Sequence, residues 1–178
     1  MPRKIIIIGA NAAGVDAASA ARKTNRSAEI TLITKEKKVA YSRCGIPFVL
    51  GRQVKSFDDL VVFPDSFYRM MKLTLLTQTT VTNIDPKTKT VTLTDKIGIK
   101  NSLSYDNLII STGADPRIPK IHGLEKEGVF FVRTINDGQQ IDDALTTAKS
   151  AVIIGSGLVG LEVAVACRER GLNVTVVE

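Results

Sequence analysis

Hydrophobic and polar positions fall into two widely spaced copies of one pattern. In the first, KIIIIGANAAGVDAASAARKTNRSAEITLIT, an isoleucine run ends at Gly9, a stretch of small residues follows, and a second β-rich run leads to Thr34. Four consecutive isoleucines with no polar alternation predict a strand buried on both faces, and the small-residue stretch predicts a helix packed close to it. From Ala151 the pattern returns as AVIIGSGLVGLEVAVACRERGLNVTVVE, ending at Glu178. Two strand, glycine turn, helix, strand units predict two nucleotide-binding domains built on parallel sheets.

Between the copies the period changes. A helix is predicted to start near Pro64-Asp65, since proline suits a first helical turn and Phe67, Met70 and Met71 recur at helical spacing. Thr80–Thr94 alternates around Asp85-Pro86 and predicts a β-hairpin, and Asn107–Ser111 predicts a further strand. The turn-rich segment Thr112-Gly113-Ala114-Asp115-Pro116, with Pro119, marks a domain boundary, giving domains 1–113 and 114–178. Asp137–Ala148 predicts a helix leading into the second turn.

The second domain holds one strand-helix-strand unit, so the chain reads as a fragment of a longer chain, or a truncated product, rather than a finished two-domain protein. Ile153, Val163, Val174 and Val176 are expected to lack cover, and the 178-residue chain to self-associate or swap strands.

Composition narrows the function classes. The 24 Lys+Arg against 18 Asp+Glu give a net charge of +6, but the basic residues are scattered, and 5% aromatic residues with no Trp do not make a base-stacking surface. Nucleic-acid binding is not expected; the positive charge suits anionic cofactors. No apolar run is long enough for a membrane span. Two cysteines, Cys44 and Cys167, are too few for a disulfide scaffold, so a soluble protein of the reducing cytoplasm is expected.

The turn Gly155-Ser156-Gly157-Leu158-Val159-Gly160 matches G-x-G-x-x-G between a strand and a helix. The first glycine turns the chain, the second lets the backbone approach a pyrophosphate, and the third lets the helix pack closely. Glu178 ends the next strand, where a carboxylate can accept the ribose hydroxyls of an adenosine. That acid would repel a 2′-phosphate, so NADH is expected over NADPH. The first turn, Gly9-Ala10-Asn11-Ala12-Ala13-Gly14, has Asn11 in the middle, a residue that tolerates left-handed backbone. Aligning the copies puts Thr34 where Glu178 stands, so the ribose acid is missing there, and Glu36 two residues on is a weaker substitute.

Cys44 lies in Tyr41-Ser42-Arg43-Cys44-Gly45-Ile46-Pro47-Phe48, beside a cation and before a helical signal, a setting that favours a thiolate; on residue context alone a packing role is the commoner reading. Cys167 reads as packing, and Tyr41, Phe48, Met70 and Met71 as core or cofactor-flanking. His122 has no sequence partners for a metal site or a nucleophilic relay, so no metal is expected.

These motifs, GANAAG, AYSRCGIPF, STGADPRIP and GSGLVGLE in that order, resemble the pyridine nucleotide-disulfide oxidoreductase superfamily across essentially the whole chain, specifically its single-cysteine branch of coenzyme A disulfide reductases, NADH oxidases and NADH peroxidases. The resemblance implies an α/β fold: a Rossmann-like FAD-binding domain with a β-hairpin or meander insertion, then the start of a Rossmann-like NAD(P)-binding domain. It implies that Gly9, Asn11 and Gly14 touch FAD phosphates, that Val81 lies near the adenine, and that Thr112 and Gly113 pack on the cofactor. Ala12, Ala13, Thr34, Lys35, Ser42, Arg43 and Ser111 are further cofactor-binding residues on this basis. In the NADH site it implies Gly155, Gly157, Leu158, Val159, Gly160 and Glu178, with Glu162 near the nicotinamide and flavin.

The same resemblance makes Cys44 a redox centre cycling between thiolate and mixed disulfide or sulfenic acid. Members usually carry an acid at the place of Thr34, often Asn at that of Arg43, and in peroxidases and water-forming oxidases a histidine at that of Ala12. The absent histidine favours disulfide reduction, and Thr34 implies weak FAD retention. The implied enzyme passes electrons from NADH through FAD and Cys44 to a small disulfide such as coenzyme A disulfide, a polysulfide or oxygen, as a homodimer in the full-length protein. Alternatives are a flavoprotein reductase for a protein electron carrier and an inactive nucleotide-binding fragment.

Overall fold

The computed structural model describes residues 1–178. Chain order is β1 (Lys4–Ile8), α1 (Ala12–Thr24), β2 (Glu29–Ile33), α2 (Ile46–Leu50), α3 (Asp65–Met70), β3 (Leu73–Leu76), β4 (Thr80–Asp85) and β5 (Thr90–Thr94). It continues with β6 (Lys100–Ser104), β7 (Asn107–Ile110), α4 (Ile135–Leu145), β8 (Ser150–Ile154), α5 (Leu158–Glu169) and β9 (Asn173–Val177). Two compact units result: Met1–Tyr41 with Val61–Gly113, and Ser42–Leu60 with Ala114–Glu178. The split after Gly113 falls at the turn-rich break. The segment Ser42–Leu60, which the sequence reading counts within 1–113, groups with 114–178, because Ile46, Val49 and Leu50 of α2 are buried where that helix packs on α4 and α5.

The first unit is a parallel sheet in the order β3-β2-β1-β7, with Ile8 opposite Ile33 on one side and Ile110 on the other. The isoleucine run is explained by cover on both faces. Ile5 and Ile7 pack with Val15 and Ala18 of α1 and with Tyr68, while Ile6 and Ile8 pack with Val91 and Leu93 of the antiparallel sheet β4-β5-β6. Two strands escaped the sequence reading. β3 is only four residues long, and β6, KNSLS, has a single apolar residue; its strand character comes from pairing, with Leu103 opposite Val91.

Arg22 closes the end of α1: its guanidinium donates to the carbonyls of Met71, Arg26, Ala28 and Lys72, each at 2.8 Å. Pro64 caps α3 from outside the helix, one position before the expected first turn. Tyr41 is buried, but Phe48 and Met70 are exposed, so neither is core.

In the second unit β8 and β9 pair in parallel, Ile154 opposite Val177, with α5 along one face. The expectation of uncovered residues is corrected in part. Val163 is buried with Ala164, Ala166 and Cys167, because this side of α5 carries the helix packing, and Ile153 and Val174 are half-buried. Val176 is exposed, as are Val152 and Ile154 on the opposite face of β8. Helix α4 begins two residues earlier than predicted because Thr134 and Asp137 form a reciprocal capping box. No helix is long and apolar enough to cross a membrane, and no group of His, Cys, Asp and Glu is arranged to hold a metal.

Candidate functional site

The two glycine turns repeat one geometry. Gly9 has φ +106° and donates to the Ile33 carbonyl at 2.8 Å; Gly155 has φ +103° and donates to the Val177 carbonyl at 2.7 Å. Such a backbone suits glycine alone among common residues. A Cβ on Gly14 would overlap the Gly9 carbonyl, and one on Gly160 the Gly155 carbonyl, so the last glycine of each turn is fixed by helix packing. At Gly157 a Cβ would meet nothing within 4 Å. That open backbone at the start of α5 is the room a pyrophosphate needs, and no side chain caps the helix, so its first-turn amides have no protein acceptor.

The first turn differs at the expected place but by another mechanism. Asn11 is not left-handed: φ is −106°, and at the head of α1 its side chain accepts from the amide of the next residue, Ala12, at 3.0 Å. The amides of Ala13 and Gly14 keep no protein acceptor, which fits a phosphate. Ser111 braces the turn, its hydroxyl donating to the carbonyls of Ile8 at 3.0 Å and Gly9 at 3.2 Å. Thr112 and Gly113 follow directly, Gly113 at φ +72°.

Thr34 is buried, and its hydroxyl accepts from the Glu36 amide at 3.2 Å, so it is already engaged within the chain. Glu36 in turn accepts from the Tyr41 hydroxyl. Lys35 is exposed, and Val81 is half-buried against the Val91 and Leu93 cluster, which gives it a packing role of its own.

Glu178 directly follows β9 and reaches back to the second turn. One of its oxygens, Oε2, accepts from both the Ser156 amide at 2.5 Å and the Ser156 hydroxyl at 2.7 Å. These bonds, the hydroxyl's first, hold the carboxyl below the usual glutamate range. Leu158, Val159 and Glu162 lie exposed on the first turns of α5.

Cys44 and Ser42 are exposed, Cys44 at the centre of a short helical turn, Arg43–Gly45, that runs into α2. Arg43 donates to the Arg133 carbonyl at 3.2 Å. Helix α2 is anchored at its far end: Arg170 donates to the Leu50 carbonyl and pairs with Asp142 at 2.7 Å, and Asp142 also pairs with Arg52 at 3.1 Å. Cys167 is buried, and burial pushes its thiol up.

The first unit thus gathers Gly9–Gly14, Thr34 and Ser111–Gly113 at the C-terminal ends of β1, β2 and β7; the second holds Gly155–Gly160 with Glu178, and also Cys44. Sequence reasoning missed Ser156, whose position between two motif glycines carries no residue preference, and the Asp142 cluster, whose members lie far apart in the chain.

Residues 3–178 match the family described as pyridine nucleotide-disulphide oxidoreductase. An NADH oxidase of Methanocaldococcus jannaschii is 44% identical over 98% of this chain, and a coenzyme A disulfide reductase of Staphylococcus haemolyticus 34% identical over 98%. The chain spans 40% of the length of each. The crystal structure of reduced Bacillus anthracis CoADR-RHD superposes with a TM-score of 0.95 at 28% identity, covering 99% of this chain and 32% of that one.

Proposed function

This chain belongs to the pyridine nucleotide-disulphide oxidoreductase family, and on that premise we propose that it is part of an enzyme taking electrons from NADH through FAD to Cys44 and on to a small disulfide, polysulfide or oxygen. The observation that carries the reading is the duplicated turn, one copy per unit, with a carboxylate at the second and an exposed free cysteine in the same unit.

Each turn suits one nucleotide. Residues Gly9, Asn11, Ala12, Ala13 and Gly14 would hold the FAD pyrophosphate through the unpaired amides, with Ser111, Thr112 and Gly113 closing the site and Thr34, Lys35 and Val81 towards the adenosine. Gly155, Gly157, Leu158, Val159 and Gly160 would hold NADH, Glu178 accepting from its ribose and Glu162 facing the nicotinamide end. A bound flavin would supply the two-electron chemistry linking nicotinamide to thiol.

Cys44 then acts on the acceptor. Its thiolate attacks one sulfur of a disulfide, forming a mixed disulfide with Cys44 Sγ as the other sulfur leaves as thiolate, so that no external oxidant is needed. Ser42 and Arg43 flank the reacting sulfur. No second cysteine stands four residues on, so Cys44 has no partner for a dithiol of the glutathione-reductase type at that spacing. Two unpaired cysteines suit a reducing cytoplasm, and the full-length protein is read as a homodimer.

The test is Cys44→Ser in the full-length protein. Disulfide-dependent NADH oxidation should be lost while the flavin spectrum stays. Full disulfide turnover in the variant would point instead to a reductase of a protein electron carrier in which Cys44 takes no part in turnover.

A further inference from the structure

Ser156 lies between the first two glycines of the second turn, where any small residue would fold. Yet both of its donors, the amide at 2.5 Å and the hydroxyl at 2.7 Å, meet the same oxygen of Glu178. That arrangement fixes a long, exposed side chain that would otherwise sample many rotamers, and it leaves Oε1 without a protein donor. The other copy of the turn serves as an internal control. There the matching position is Ala10, which has no hydroxyl, and the residue matching Glu178 is Thr34, which has no carboxylate. Hydroxyl and acid occur together in one copy and are absent together from the other.

We propose that Ser156 is a positioning residue that sets nucleotide preference, by holding Glu178 so that its free oxygen accepts the 2′-hydroxyl of NADH and opposes the 2′-phosphate of NADPH. This rests on reading the second turn as the NADH site. The backbone amide alone leaves the carboxylate free to swing about that single bond; the hydroxyl adds the second point that fixes it.

The experiment measures equilibrium Kd for NADH and NADPH, by nicotinamide fluorescence on the full-length flavoprotein, for wild type, Ser156→Ala, Ser156→Thr and Glu178→Gln. Ser156→Ala should shrink the NADH-over-NADPH preference by about tenfold, the worth of one hydrogen bond to a charged group. Ser156→Thr should restore it, and steady-state kinetics should place the change in KM for NADH with kcat kept. An Ala variant that weakens both nucleotides equally, or changes neither while Glu178→Gln abolishes the preference, overturns the role of Ser156 and leaves the NADH reading standing. If neither Ser156→Ala nor Glu178→Gln alters the preference, the reading of the turn as the NADH site falls with it. Should the Ala variant not fold, Ser156→Cys, similar in shape but a weak donor, replaces it with the same expectation.

Discussion

Thr34 and Glu178 occupy the same point in two copies of one turn: each directly follows the strand residue whose carbonyl accepts from the turn glycine, Ile33 for Gly9 and Val177 for Gly155. Their uses are opposite. Thr34 is buried and orders the following loop, whereas Glu178 is exposed and reaches back to the turn. Thr34→Val, which keeps the shape, should therefore cost about 1 kcal/mol in urea unfolding through the lost bond to the Glu36 amide. Glu178→Gln, at an exposed site, should lower the neutral-pH urea midpoint by less than Thr34→Val does.

The glycines of the second turn separate by role. Gly160→Ala would drive a methyl group into the Gly155 carbonyl and should destabilise by about 1–3 kcal/mol. Gly157→Ala meets open space at φ −68°, so Tm should stay put while NADH affinity falls at least about tenfold, as the added methyl occupies the pyrophosphate's approach. Thermal melts and NADH titrations on the two variants check both.

The two thiols should react very differently. In the native 178-residue chain a thiol reagent should modify exposed Cys44 promptly and Cys167 only after unfolding, giving one fast equivalent before denaturant and two after. Because burial raises the Cys167 pKa, its contribution to stability is whole below the unfolded thiol pKa. It is lost as pH rises through that value towards the folded one. Cys167→Ala should flatten this alkaline loss of stability.

For Glu178 the sign is reversed. Ser156 lowers its pKa, so its favourable bonds are present above the unfolded carboxyl pKa and disappear as pH falls through the lower folded value. Carbon-13 titration of the carboxyl should show ionisation persisting below the ordinary glutamate range, and Ser156→Ala should move the midpoint upward.

Arg22 should resist conservative exchange. Its fork satisfies four carbonyls, two in the loop after α1 and two just after α3, and a lysine ammonium at the tip of an unbranched stem cannot reach the same set. Arg22→Lys and Arg22→Ala should both lose about 2 kcal/mol or more by denaturant unfolding, with Lys recovering only a minor part.

The sequence by itself determined the repeat, the two turns and the central strand, because these depend on local rules: an unbroken isoleucine run needs cover on both faces, and a positive φ needs glycine. The same rules make Glu178 and Thr34 comparable by spacing alone. Local rules did not reach β6, which is a strand only because Leu103 pairs across from Val91; the bond from the Ala12 amide to the Asn11 side chain is a local signal, an asparagine directly before a helix, that went unread. They also missed that Ser42–Leu60 packs with 114–178, that Asp142 joins Arg52 and Arg170, and that Ser156 grips Glu178. The last three of these contacts join side chains or segments more than twenty residues apart, and their partners are set by how the strands and helices pack, which pattern and spacing along the chain do not encode.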